Sequence, residues 1–159
     1  PPWHLIPEIA GGGYFYDVAC HQLDILDLLL GVVVDVKAWY TNRANIYKVE
    51  DTLTAILKFE MGVLATCCWS YVGNTINETD RIEIYGTKGK ISFSIAADTS
   101  IIVETEAISK QFHFEKPKHV EMPMIEQLVL NLIKKNNFNS NMESSSRTSW
   151  VMDKVMGRL

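Results

Sequence analysis

The stretch from Gly11 to Gly31, GGGYFYDVACHQLDILDLLLG, constrains the fold more than any other part of the chain. Three glycines end a loop. The residues from Tyr14 to Leu30 then place apolar side chains on nearly every face at helical spacing, the pattern of a helix covered on most sides. Gly31, free to take positive φ, can stop it. Yet the same helix carries Asp17, His21, Asp24 and Asp27. Burying an unpaired ionised side chain is costly, so these four have either partners or work to do.

Residues at i, i+4 and i+7 share one helix face, which lines up Asp17, His21 and Asp24 and rotates Asp27 away. Such a column suits proton transfer, because histidine titrates nearest neutral pH and a carboxylate one turn away can orient it. Two other readings stand beside this one. His21 can be a hydrogen-bonded core histidine, with the aspartates capping backbone or pairing with Arg or Lys. Asp and His at this spacing can also bind one ion, although zinc would need a further strong ligand.

Beyond Gly31 the pattern changes period. VVVDVKAWYTN, from Val32 to about Asn42, is rich in β-branched and aromatic residues and predicts a strand. DTLTAILKF and VLATCCWSYV are two more, joined by EMG, a short turn with Gly62 available for positive φ. DRIEIYG and KISFSI pair the same way across GTKG, and TSIIVET with KQFHFE makes a third hairpin. After Pro123, MIEQLVLNLIKKN returns to helical spacing; NNFNSNMESSS reads as a loop, and Ser144 to Met156 as a final helix. The expected class is α+β: one large, mainly antiparallel sheet of six or more strands with helices packed on one face, in a single domain spanning residues 1–159. TCCWSYV would put Cys67, Trp69 and Tyr71 on one sheet face and Cys68, Ser70 and Val72 on the other. A sheet face so weakly polar is either an interface between copies of the chain or is covered by loops.

Charge and cysteine content narrow the partners. The net charge of −4, with 15 Lys and Arg scattered along the chain, gives no basic field for nucleic acid. No apolar run reaches the length that crosses a bilayer, and PPWHLIPEIA lacks the charged start and apolar body of a signal peptide. Its abrupt start without Met reads as that of a fragment. Cys20, Cys67 and Cys68 fit neither a paired disulfide framework nor a zinc spacing, and read as reduced thiols in a cytoplasmic chain.

AGGGYFYDVACHQLDILDLLLG resembles the signature that opens the C-terminal domain in the glucose-fructose oxidoreductase and inositol dehydrogenase (Gfo/Idh/MocA) family: GGG, then D-x-x-x-H-x-x-D. The resemblance continues through RIEIYGTKGKISF and through HVEMPMIEQLVLNLIKKN and SSSRTSWVMDKVMGRL, similar to the family's hairpin and closing helices. It implies a two-domain oxidoreductase that uses NAD or NADP on a sugar, polyol or cyclitol and assembles as a homodimer or homotetramer through its sheet. No G-x-G-x-x-G lies between a strand and a helix in this chain, so the Rossmann domain is absent and the cofactor would be bound mainly elsewhere. The family's catalytic pair falls on Asp17 and His21: the histidine exchanges a proton with the substrate hydroxyl, and the aspartate positions histidine and substrate. Asp24 matches the third position, where a carboxylate can bind a sugar or polyol hydroxyl; a structural hydrogen bond is the alternative. The family's catalytic lysine sits in an E-K-P motif upstream of GGG, so the downstream EKP at Glu115 to Pro117 is read as coincidental. A non-catalytic binding or assembly module of the same fold is the competing function.

Overall fold

The computed structural model describes residues 1–134 and 141–159. The element order is a 3-10 turn at Trp3–Leu5, α1 (Pro7–Ala10), α2 (Tyr14–Leu30), β1 (Val33–Thr41), β2 (Thr52–Phe59), β3 (Leu64–Ser70), a 3-10 turn at Thr75–Asn77, β4 (Ile82–Gly86), β5 (Gly89–Phe93), β6 (Ser100–Glu104), β7 (Ser109–His113), α3 (Met122–Lys134) and α4 (Met142–Val155). The class is α+β, with all strand pairs antiparallel. Of the described residues, 1–74 and 141–159 form one compact unit and 75–134 another.

In the first unit β1, β2 and β3 form a sheet in that order. β2 alternates strictly, so Leu53, Ala55, Leu57 and Phe59 are buried while Thr54, Ile56 and Lys58 face outward. The buried row meets Phe15, Ala19, Leu23 and Leu26 of α2 and Val151, Met152 and Val155 of α4 in one core. Each such large side chain taken out of water contributes about 1.5–3 kcal/mol. Gly62, at φ 85°, closes the β2–β3 turn by donating its N–H to the Phe59 carbonyl at 2.9 Å.

The glycines before α2 are needed for close approach. A Cβ on Gly13 would lie 2.4 Å from the Val49 Cβ, so the chain can pass there only without a side chain. Gly13 offers no cap to the helix, and the cap comes from elsewhere: Oε1 of the buried Glu50 accepts the Phe15 N–H at 3.1 Å. A carboxylate at this end also complements the helix dipole.

In the second unit β4, β5, β6 and β7 pair in sequence order. Their register gathers Ile82, Ile84, Ile91, Phe93, Ile101, Val103 and Phe112 on one face. On the other face Lys90 bridges Glu83 at 3.3 Å and Glu104 at 2.7 Å, while Ser92 and Ser100 are buried. Asp80 ties down the loop after β5, accepting hydrogen bonds from the Ser94 hydroxyl and the Ile95 and Ala96 amides.

Three details differ from the sequence-based expectation. Among the described residues the seven strands divide between a sheet of three and a sheet of four, because the chain after β3 passes through a loop with Gly73 and Asn74 and a 3-10 turn. α3 begins at Met122 and takes Pro123 into its first turn, where a missing N–H costs nothing. α4 begins at Met142, ahead of Ser144, because Asn141 and Ser144 form a reciprocal capping box. The end of the expected α3 and the start of the loop after it lie outside the described residues.

Candidate active site

α2 sorts its four ionisable residues by what packs against each. Arg147 of α4 holds Asp27 in a two-pronged grip, with Nε donating to Oδ1 at 3.0 Å and Nη2 to Oδ2 at 2.7 Å. This bond is the main reason the Arg147 pKa is raised. The Thr148 hydroxyl donates to Oδ1 of the half-buried Asp24 at 3.4 Å. Asp17 and His21 are exposed, and among the described residues no hydrogen bond or ion pair engages either side chain. The alternative of a core histidine therefore fails. Nor, among the described residues, do three His, Cys, Asp or Glu gather as metal ligands.

The rotation of α2 that turns this pair outward is fixed on both flanks. Towards α4, the Tyr16 hydroxyl donates to Asp153 at 2.8 Å, about three helical turns from the Asp27–Arg147 pair. Burial, followed by that bond, pushes the Tyr16 pKa well up. Towards the sheet, Nε1 of the buried Trp69 donates to Oε1 of Gln22 at 2.6 Å, and the indole meets the Phe15 ring edge-on at 5.0 Å. Gln22 directly follows His21, so β3 grips the helix beside the candidate catalytic residue.

At the head of the column stands Tyr14, three residues before Asp17 and on the same helix face. Its ring stacks on Tyr71 at 5.1 Å and meets Tyr47 edge-on at 6.2 Å. Burial, Tyr47 and Asp51 raise its pKa, so the phenol stays protonated. Tyr71 is raised further, chiefly by burial and then by Glu50, and its hydroxyl is buried with no hydrogen-bond partner among the described residues. Asp51 shapes the neighbouring loop. Burial alone would raise its pKa, but the amides of Arg43 and Ala44, the Thr52 hydroxyl and the Arg43 charge hold it below its ordinary value. On β3, burial and then Cys68 push the Cys67 thiol up to about 11.

Tyr14, Glu50 and Gln22 escaped the sequence reading, which placed Trp69 on a sheet face but gave it no role at the site. Tyr14 alone had a signal, its i, i+3, i+7 spacing with Asp17 and His21; the others act through partners distant in sequence. Lys116 lies in the second unit, exposed beyond β7.

A dinucleotide does not fit the only sequence feature that suggests one. Glu50 fills the start of α2 with a carboxylate, and Val49 sits where a pyrophosphate would approach Gly13.

The domain is α+β, and the helix clamped between its sheet and a second helix leaves Asp17 and His21 exposed one turn apart. Residues 1–92 match the model of the GFO/IDH/MocA C-terminal domain. The chain is 34% identical over 155 residues to oxidoreductase P35 of Formosa agariphila, covering 98% of this chain and 47% of that protein. It belongs to the Gfo/Idh/MocA family and spans about half the length of the curated relative it matches. Among solved structures, the aldose-aldose oxidoreductase of Caulobacter crescentus, complexed with glycerol, superposes with a TM-score of 0.82 at 20% identity, over 98% of this chain and 48% of that one. Levoglucosan dehydrogenase in complex with NADH and levoglucosan also gives 0.82, at 17% identity, over 98% and 50%. These two show the shared fold.

Proposed function

We propose that this chain is the C-terminal, substrate-binding domain of an NAD(P)-dependent oxidoreductase that acts at a hydroxyl or carbonyl carbon of a sugar, polyol or cyclitol. The observation that carries the reading is the sorting on α2: Asp24 and Asp27 are engaged by α4, while Asp17 and His21 are left exposed on one face. A helix that satisfies two of its acids and leaves an acid and a base unsatisfied one turn apart has kept them for a ligand. The nicotinamide, held in the full-length protein outside this chain, supplies or accepts hydride. This chain handles the proton: His21 takes it from the substrate hydroxyl during oxidation and returns it during reduction. Asp17 accepts a neighbouring substrate hydroxyl and orients both substrate and imidazole. Asp24 uses the carboxylate oxygen that Thr148 does not engage to accept another.

The oligomer, a homodimer or homotetramer, forms through open sheet surface. On the outer face of the three-stranded sheet Trp39 is 65% and Ile56 46% exposed. Among the described residues no helix is long and apolar enough to cross a membrane. The relatives above are named as oxidoreductases or dehydrogenases, and solved complexes contain NADH or levoglucosan, which supports the reading for the full-length protein.

The test is an assay of the full-length protein with NAD and NADP against a panel of aldoses, polyols and cyclitols, following reduced nicotinamide by absorbance. Turnover of at least one polyhydroxylated substrate is expected. A folded full-length protein that reduces neither cofactor with any of them would leave the binding-module reading in its place.

A further inference from the structure

Asp17 and His21 stand at different points along α2, and different parts of the sheet hold them. His21 directly precedes Gln22, which the Trp69 indole grips from β3. Asp17 lies one turn nearer the start of the helix, away from that grip. There the helix holds itself weakly: the Asp17 N–H reaches the Gly13 carbonyl at 3.3 Å, long for a backbone hydrogen bond, and Gly13 supplies no side-chain cap. Resting on the function proposed above, we propose that Glu50 is a positioning residue for the reaction: by capping the first turn of α2 it sets where the Asp17 carboxylate meets the substrate.

Glu50 is only 7% exposed, and its Oε1 accepts the Phe15 N–H at 3.1 Å, two residues before Asp17. Burying a carboxylate is costly, and this bond, strengthened by the charge and by the helix dipole, offsets that cost. The backbone around Glu50 is fixed on both sides. Val49 packs against Gly13, whose missing side chain lets the two approach. Asp51 donates its N–H to the carbonyl of Thr41 at the end of β1, at 3.0 Å, and its own carbonyl accepts the N–H of Tyr71, just after β3, at 2.8 Å. The carboxylate therefore reaches α2 from a segment that the three-stranded sheet holds in place. Without it the first turn loses its cap and shifts or frays, carrying Asp17 with it, while the Gln22–Trp69 bond keeps His21 where it is. A displacement of about 1 Å in a substrate-positioning group can cost about 10²-fold in rate.

The experiment uses the full-length protein and its best sugar or polyol substrate. It compares Glu50→Ala, the milder Glu50→Asp and Glu50→Gln with wild type, and repeats each change in an Asp17→Asn background. Amide hydrogen exchange and kcat/KM are read on the same preparations. Glu50→Ala, or Glu50→Asp should the alanine variant fail to fold, is expected to speed exchange in the first turn of α2 but not beyond His21, and to lower kcat/KM about tenfold. In the Asp17→Asn background the same change should cost less than about twofold, because its effect runs through the Asp17 carboxylate. Glu50→Gln, which keeps an oxygen for the Phe15 amide, should stay within about twofold of wild type. If the first turn exchanges no faster in either shortened variant, Glu50 does not hold it. If it exchanges faster while kcat/KM is unchanged, or falls equally in both backgrounds, the positioning role is refuted. Failure of the function proposed above shows separately, as a folded wild type that turns over no substrate of the panel.

Discussion

Replacing Trp69 by phenylalanine removes the indole N–H that donates to Gln22 at 2.6 Å and part of a ring that is only 8% exposed. The lost hydrogen bond has a net worth of about 0.5–1.5 kcal/mol. Truncating a buried Trp fully to Ala costs about 3–5 kcal/mol, and keeping a phenyl ring retains over half of that packing. Together the change should cost about 2–3 kcal/mol. In a chain of this size that corresponds to a fall in Tm of about 4–12 °C. Urea unfolding followed by circular dichroism measures it. Gln22→Glu, which keeps an acceptor, should cost less than Gln22→Leu, which has none. In the full-length protein Trp69→Phe should also lower turnover, since the bond it breaks sits beside His21. If Trp69→Phe unfolds within about 0.5 kcal/mol of wild type, this bond does not fix the rotation of α2 and the account of how the pair is aimed outward fails.

Gly13→Ala should destabilise the chain by about 1–3 kcal/mol, because the new methyl would meet the Val49 side chain at 2.4 Å and the start of α2 must shift; an unchanged midpoint in urea would contradict that packing. Asp51 has a pKa held below its ordinary 3.8, so it adds stability at neutral pH that is fully present above that value and is lost as pH falls through the folded-state pKa. Acid titration of wild type should therefore show a loss below about pH 4 that is smaller in Asp51→Asn, and parallel curves would count against it. Asp24→Asn in the full-length protein should raise KM for the sugar with little change in Tm; a lowered Tm with KM unchanged would leave Asp24 only its bond to Thr148.

Local features of the fold were legible in the sequence. α2 runs from Tyr14 to Leu30 as the apolar spacing predicts, and Gly31 follows it at φ 86°. The period-2 pattern of LTAILKF placed β2, and glycine-bearing turns placed the hairpins. What stayed hidden depends on pairing across distance. Whether β3 and β4 join is a tertiary question that strand patterns do not answer. The cap on α2 comes from Glu50, 35 residues away, and nothing local marks it as a cap. On the helix face, spacing aligned Asp17, His21 and Asp24 correctly, but it could not tell engaged acids from free ones. The partner that distinguishes Asp27 is Arg147, 120 residues on, and Thr148 engages Asp24 from the same helix.

The central claim is that His21 moves the substrate proton and Asp17 positions it. The most direct test measures turnover and melting temperature together, on the same preparations of full-length wild type, His21→Ala and Asp17→Asn. Both side chains are exposed, so neither substitution should lower Tm appreciably. A general acid–base group contributes about 10²- to 10⁴-fold, so His21→Ala should reduce turnover by that order, and Asp17→Asn, which keeps the size but loses the charge, should reduce it as well. Unchanged turnover in a folded His21→Ala protein would contradict the account.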